Sequence, residues 1–445
     1  MSERGVAPAD SLPIERLPFL LEPNPRRVLL RPFLPSLVVK PTATAGSMER
    51  LERLMTRLSA VSPLTCSQEL ERLRHRFGVR HRTLERLARQ RWQDVLAPLE
   101  PKHPLSAEQQ LLLGYYLTHE YSLESAALFN PSLVSHPDQG ELPEGSLRVI
   151  MSLRATGEGH ISSIAFRGAV LHADGTMQLD PVSPFVFQGE ISRLNDGEGH
   201  YRVSYGPESQ LSERVLFPVT ARESNGLEDA RFVRLAGDPP RWLATATAYD
   251  GRGIQSQLIV THDFQQFEMR PLRGSAIRNK GLAFFPRQVN NQWLMLGRQD
   301  SENIHLMISD QPDHWQHSQV LLRPQESWEF IQLGNCGSPL ETEAGWLVLT
   351  HGVGPVREYC IGAALLDLND PSRVIGRLRH PLLRAAEDER DGYVPNVVYS
   401  CGALIHADHL WLPYAVSDHS TRMARVPLAS LLNALLTSPQ REQES

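Results

Sequence analysis

From Asn130 to Leu432 helical periodicity nearly vanishes, and short alternating apolar runs follow one another between Gly, Asp, Asn and Pro punctuation. Leu147–Ser152, Ile161–Phe166, Trp242–Ala248, Gln257–Val260, Trp293–Leu296, His305–Ile308, Trp346–Thr350 and Leu410–Tyr414 are the clearest. Many short strands at this density restrict the fold to an all-β sandwich, barrel or propeller. A weak internal repeat chooses among these. Leu258-Ile-Val-Thr-His-Asp-Phe leads to Met269-Arg-Pro-Leu, Leu306-Met-Ile-Ser-Asp to Leu321-Leu-Arg-Pro, and Ala364-Leu-Leu-Asp-Leu-Asn-Asp to His380-Pro-Leu-Leu. Each is an apolar strand ending at an acidic turn, then a second ending near proline, at a period of about 50–60 residues, which implies blades or solenoid turns, and about 300 residues at that period give five blades. The expected fold is an all-β five-bladed β-propeller of four-stranded antiparallel blades around a channel, with an N-terminal α-helical module.

Two other regimes precede the strands. Leu17 to Pro41 is punctuated by proline around β-type runs such as Val28-Leu29-Leu30-Arg31-Pro32-Phe33, too interrupted for a long helix. From about Ser47 the apolar residues Leu51, Leu54, Met55, Leu58, then Leu70, Leu73, Phe77, then Leu84, Leu87, Trp92 fall at three- and four-residue steps. Ser106-Ala-Glu-Gln reads as a helix start. The expected division is an extended arm over 1–45, a helical module over 46–125, the propeller over 126–437 and a tail over 438–445.

Composition narrows the function. The chain has 445 residues, 45 Lys+Arg and 51 Asp+Glu, a formal charge of −6, which argues against a fibrous, disordered or strongly nucleic-acid-binding protein. The arginines of the basic stretch Arg72 to Arg91 alternate with an apolar stripe as a solvated helix face does, so no nucleic-acid partner is expected. No apolar run approaches membrane-spanning length, and the N-terminus lacks a basic region followed by an apolar one; the expectation is a cytoplasmic protein without a membrane partner. Cys66, Cys336, Cys360 and Cys401 are widely spaced, and the histidines form no His-Glu-x-x-His, so neither disulfides nor a metal site is indicated.

A propeller gathers polar residues from distant strand ends at one mouth of its channel. The densest candidate is Asn225-Gly226-Leu227-Glu228-Asp229-Ala230-Arg231-Phe232, which puts two carboxylates and a guanidinium at a strand entry. Strand alternation would turn Asp229 and Arg231 to one side and Glu228 to the other. The same residues would serve a solvated, salt-bridged turn. An Asp–Arg pair keeps the acid ionised, which suits binding better than proton donation unless a substrate intervenes. Lys280, Arg154, Arg298 and His351 also fall at strand ends and, with Arg231, would make a cationic pocket for an anion such as phosphate.

The succession Phe129-Asn130-Pro131, Arg154, Gly226-Leu-Glu228-Asp229-Ala-Arg231, Lys280 before Phe285-Pro286, Trp328-Glu329, Thr350-His351-Gly352-Val353, Gly362-Ala-Ala-Leu-Leu-Asp367-Leu-Asn-Asp370-Pro371 and Val394-Pro395-Asn396-Val397-Val398 resembles glycoside hydrolase family 130, from about Ala126 to Leu432. The family comprises β-mannoside phosphorylases and β-1,2-mannosidases. The resemblance implies a five-bladed propeller that cleaves β-mannosidic linkages with inversion, by phosphorolysis to α-mannose 1-phosphate. Asp229 is then the acid, and Arg154, Arg231 and Lys280 fall at the phosphate or nucleophile site, to which strand-end placement adds Arg298 and His351. Asn130, Glu228, Asn396 and Asp418 are implied to bind the sugar. Inorganic phosphate is the co-substrate, with no cofactor and no metal; a homo-oligomer is left open. The family's Glu-Asp-Pro-Arg has Ala230 for its proline, and Leu296-Gly297-Arg298-Gln299 stands where phosphorylases read Leu-His-Arg-Pro. The missing histidine keeps an inverting exo-β-mannosidase open, its base among Glu302, Glu326 and Glu329. A non-catalytic carbohydrate-binding propeller is the third reading. An inverting hydrolase needs a base beside its water, whereas a phosphorylase can replace it with an anionic nucleophile held by cations.

Overall fold

The computed structural model describes residues 12–33, 45–96, 104–194 and 199–438. They fall into two compact units, one spanning Pro25–Glu124 with Ser183–Phe187, the other Met1–Asn24, Ser125–Val182 and Gln188–Ser445.

The first unit holds the helices Ala45–Ser59, Pro63–Gly78, Leu84–Leu96 and Ala107–Tyr116, and the antiparallel pair Val28–Pro32 and Thr118–Ser122. Ser62 caps the second helix by accepting from the Thr65 N–H, and Pro63 occupies the first turn, where its missing donor costs nothing. Ser106 and Gln109 form a reciprocal capping box at the start of the fourth helix, and the Gln109 amide also donates to the Leu58 and Val61 carbonyls. The helical spacing buries Leu51, Met55, Leu58, Leu70, Ala88 and Leu111–Leu113 in one core. A Cβ at Gly114 would lie 1.9 Å from the Ala88 carbonyl oxygen, so the third and fourth helices cross backbone to backbone there. Much of the basic stretch is paired with acids: Arg72 with Glu69, Arg74 and Arg89 with Glu85, and Arg80 with Glu120. Fully buried Arg27 meets Glu124 at 2.8 Å and donates to the Ser183 carbonyl, while Arg82 lies 4.2 Å from the Phe185 ring, which binds Ser183–Phe187 to this unit.

The second unit is all-β apart from one C-terminal α-helix and short helical turns. Its largest sheet joins Ala127–Ser135, Leu147–Thr156 and Ser162–Leu171 to Gly226–Leu235, Arg241–Tyr249, Ile254–Thr261 and Gln266–Pro271. The junction is a single parallel pair, Gly226 against Ser162. Gly226 has φ 142°, and a Cβ there would sit 2.7 Å from the Ser162 nitrogen, so only glycine fits. Divided there, the unit contains five antiparallel runs. The other three are Ala283–Phe284 to His317–Leu322; Gln332–Asn335, Gly345–Val353, Tyr359–Leu366 and Val374–Arg377; and Val398–Tyr399, His409–Val416 and Ser420–Pro427, closed by Glu15–Leu21.

The cores lie between consecutive runs. Phe166, Phe232, Trp242, Phe264 and Phe267 fill the space between the first two, with Phe166 and Phe267 stacked at 5.5 Å. Val233, Leu243, Phe284, Met295 and Trp315 join the second to the third. Leu296, Leu306, Trp346 and Val348 join the third to the fourth. Leu347, Leu365, Leu412 and Val426 join the fourth to the fifth, under the helix Leu428–Thr437. Phe129 and Ala415 bring the fifth back to the first.

Candidate active site

Backbone irregularities build the site. The ladder between Gly226–Leu235 and Arg241–Tyr249 shifts register between Glu228 and Arg231, and Asp229 in the bulge has φ 53°. A second shift, between Phe129 and Ser132, puts Asn130 at φ 49° before Pro131. Asn396 at φ 60° follows Pro395, and Asp418 at φ 51° occupies the turn between two strands. Asn and Asp are the side-chain-bearing residues that tolerate this left-handed region best, and bulges re-aim side chains beside active sites.

The bulge overturns the expected alternation at Glu228–Arg231. Glu228 and Asp229 do not point to opposite faces: both accept from Arg154, Glu228 at 2.8 Å and Asp229 at 3.4 Å. Arg154 is itself aimed by its Nε, which donates to the Ser162 hydroxyl at 2.9 Å, and by the Phe129 ring 5.1 Å away. The Asn130 amide donates to Asp229 at 2.7 Å, and Lys280 approaches Glu228 at 3.9 Å. Asp229, Arg154, Glu228, Asn130 and Lys280 therefore form one cluster.

Arg231 runs elsewhere. Fully buried, it donates to the Asn335 carbonyl at 2.7 Å and to the Tyr399 hydroxyl, leaving its Nε without a partner. The Tyr399 ring meets His351 edge-on at 4.9 Å, and Arg298 approaches the His351 Nε2 at 3.3 Å. A second, cationic group of Arg231, Tyr399, His351 and Arg298 is thus linked to the first through the chain of Asp229–Arg231. Gly297 carries no imidazole, but His351 supplies one beside Arg298 from a different sheet.

The charges set protonation. Burial acts to raise the Asp229 carboxyl, but Arg154, Lys280, the Asn130 hydrogen bond and Arg231 outweigh it and hold it down at about 2. Asp418 goes the other way: burial first, then the Asp229 charge, lift it to about 6 against Arg154, Arg357 and Lys280. Burial also raises Glu228, opposed by Arg154. Burial, then Arg298 and Arg231, push His351 well below its ordinary value, so its imidazole is neutral. The site thus holds an ionised acid, a carboxyl able to exchange a proton near neutral pH, and the cations Arg154, Arg231, Lys280 and Arg298.

Such a constellation of carboxylates and cations invites comparison with known proteins. The model of the family described as β-1,4-mannooligosaccharide phosphorylase matches residues 162–437. The chain belongs to glycoside hydrolase family 130. The β-1,2-mannobiose phosphorylase of Listeria innocua serovar 6a is 32% identical to this family-130 chain over 55% of it and 68% of the relative. The 1,2-β-oligomannan phosphorylase of a Thermoanaerobacter species is 29% identical over 57% and 86%. The crystal structure of a glycosyl hydrolase from Bacteroides ovatus superposes with a TM-score of 0.50 at 18% identity, covering 69% of this chain and 85% of that one, a likeness of fold.

Within this family-130 chain, the glutamates considered as bases are placed differently. Glu329 is fully buried and accepts from the Gln325 and Glu326 N–H groups and, at 2.5 Å, from Arg377, which makes it a structural cap. Glu302 is exposed in a turn, and Glu326 is half-buried at the start of the same short helix as Glu329. Asn396 accepts from Arg390 at 2.8 Å, and its carbonyl takes the Tyr359 N–H. Sequence reasoning missed Tyr399, Ser162 and Asn335. Tyr399 follows directly on the quoted Val394–Val398 motif, a usable signal. Nothing local marks Asn335, whose role falls to its backbone carbonyl.

Proposed function

We propose that this chain is an inverting phosphorylase of β-mannosides, with β-1,2-linked mannooligosaccharides as the substrate class. The observation that carries this is the two-part site: one ionised carboxylate, Asp229, feels the charges of Arg154, Lys280 and buried Arg231, and Arg231 adjoins a second group with Arg298 and neutral His351 by way of Tyr399. That group suits a phosphate oxyanion, which replaces the base a hydrolase would need. The names of the Listeria and Thermoanaerobacter relatives support the linkage.

In the reaction, a phosphate oxygen forms the new bond to the anomeric carbon. The glycosidic bond breaks on the opposite face, and its electrons leave with the glycosidic oxygen. That oxygen takes its proton from Asp229 by way of a mannose hydroxyl. Asp229 must first gain the proton, and a phosphate dianion beside Lys280 and Arg231 raises its affinity by neutralising the cations that hold it near 2. Asn130, Glu228, Asn396 and Asp418 hold the mannose hydroxyls, and Arg154 fixes the two neighbouring carboxylates. The chemistry needs no metal or organic cofactor.

We read the five antiparallel runs as blades of a five-bladed propeller, because each core lies between consecutive runs and the fifth returns to the first. On this reading the helices of 46–125 are an appended module. Among the described residues no helix is long and apolar enough to cross a membrane. We place the enzyme in the cytoplasm, where its four free, buried cysteines stay reduced.

Hydrolysis is the second reading, favoured by Asp418, a carboxyl near 6 that feels the Asp229 charge and could activate water. Product analysis on β-mannobioses of each linkage, with and without inorganic phosphate, decides. Phosphorolysis predicts α-mannose 1-phosphate only when phosphate is present; equal release of free mannose in both overturns it.

A further inference from the structure

The short helical turns Ala221–Glu223, Ser327–Glu329 and Glu387–Glu389 precede the strands Gly226–Leu235, Gln332–Asn335 and Val398–Tyr399, and they share one device. Each ends on a fully buried glutamate whose carboxylate reaches back to accept the N–H of the residue before the turn, Thr220, Glu326 or Ala386. A donor from the sheet then fixes each carboxylate: Tyr201 on Glu223 at 2.9 Å, Arg377 on Glu329 at 2.5 Å and Tyr414 on Glu389 at 2.6 Å. A carboxylate buried among such donors pins its segment, because no other place satisfies it. Glu389 differs in also meeting the N-terminal strand Glu15–Leu21. The Arg16 Nε lies 3.5 Å from its carboxylate, and Arg16 donates besides to the Arg384 carbonyl. Arg422 approaches the same carboxylate at 3.7 Å. Arg16 stands outside residues 162–437, the part that the family model matches.

The backbone carbonyl of Glu389 accepts the Ser417 hydroxyl at 2.9 Å. Ser417 is fully buried and, like Asp418 beside it, left-handed at φ 51°. Its N–H donates to the Val397 carbonyl at 2.8 Å, and its carbonyl takes the Val394 N–H at 2.9 Å. Between those two contacts lies Asn396, left-handed at φ 60°, whose N–H donates to the Arg390 carbonyl and whose side-chain oxygen accepts from the Arg390 Nε. A Cβ at Gly392 would come 2.5 Å from that of Ser417, so the two segments touch along their length. Residues 389–397 and the turn 417–418 are therefore one clamped piece that carries Asn396 and Asp418. Left-handed residues other than glycine persist only where their surroundings over-determine them, and Glu389 ties this piece to Tyr414, Arg422 and Arg16.

We propose that Arg16 and Glu389 are positioning residues of the sugar site: the N-terminal strand holds Glu389, and Glu389 keeps Asn396 and Asp418 aimed. The inference rests on the mannoside reading above and on its assignment of those two residues to mannose hydroxyls. Both act through other residues, Glu389 by way of Ser417 and the chain to Asn396, Arg16 by way of Glu389. Lys280, Arg298 and His351 come from other runs, so phosphate has separate anchors. Loosening the clamped piece should therefore weaken the sugar and spare the phosphate.

The test is steady-state kinetics of the full chain, with β-1,2-mannobiose and inorganic phosphate varied in turn. Arg16→Ala should raise the mannobiose KM about fivefold while kcat and the phosphate KM stay within about twofold, and Arg16→Lys should restore most of the loss. Ser417→Ala cuts the link at its other end and should give the same split. The double variant should be no worse than Ser417→Ala alone, since both changes break one path. Destabilisation by itself would lower the active fraction, and so kcat, with both KM values unchanged. That result, an equal rise in both KM values, or additive losses in the double variant overturns the positioning role. If the parent chain turns over mannobiose neither with phosphate nor without it, the mannoside reading fails and this inference falls with it. A parent that turns it over beside an indifferent Arg16→Ala sinks the positioning role alone.

Discussion

Under the proposed mechanism Asp229 sits under two opposing demands, since the cations assigned to phosphate also hold its own carboxyl ionised. Its Oδ1 accepts from both Asn130 and Arg154. Asp229→Asn keeps the shape and these neighbours but can donate no acidic proton. The expected result in steady-state kinetics is a kcat lowered at least about 10³-fold with mannobiose affinity kept within severalfold. Asp418 makes a pH prediction. Its folded value of about 6 lies above the ordinary carboxylate value of 3.8, so the folded chain binds its proton more tightly than the unfolded one. Stability from this group is full below about 4 and is lost as pH rises through about 6. Asp418→Asn should therefore stabilise the chain at pH 7.5, by at most about 3 kcal/mol, and the gain should vanish near pH 4. Melting curves across that range check it, and a gain independent of pH would contradict the assignment.

Elements show what a local pattern can and cannot carry. The helix start at Ser106 was legible because a capping box is written within four residues. The strands Arg241–Tyr249 and Gly345–Val353 were legible from their apolar runs between turn residues. The bulge at Asp229 was not, because alternation assumes an unbroken ladder and only the partner strand reveals the extra residue. Gly114 is a similar case. In sequence it is a weak point inside a helix, yet it marks where another helix's backbone passes. Gly114→Ala, which would raise propensity in an isolated helix, should instead destabilise this unit by about 2 kcal/mol or more through overpacking. Denaturant unfolding of the variant reads this directly; unchanged or increased stability would show that the crossing relaxes without cost.

For the whole molecule, closure of the last sheet depends on a segment far away in the chain. Glu15–Leu21 pairs with Ser420–Pro427, Glu15 binds Arg425 at 2.6 Å, and Arg16 donates to the Arg384 carbonyl at 2.8 Å. Removing residues 1–24 would bare that edge, and an unpaired edge recruits other chains. A lowered melting temperature with concentration-dependent light scattering is the expected outcome.

The sequence by itself determined the strand-rich body, the helices before it and the carboxylate pair at a strand entry, because periodicity, caps and turn residues act over a few neighbouring positions. Only the tertiary structure decided that Glu228 and Asp229 share Arg154, 74 and 75 positions away, and that Arg231 is tied to Tyr399, 168 positions away. It also decided that His351 rather than residue 297 faces Arg298. Such contacts are chosen by burial and charge among groups that no local pattern brings together, and with them come the protonation states on which the chemistry turns.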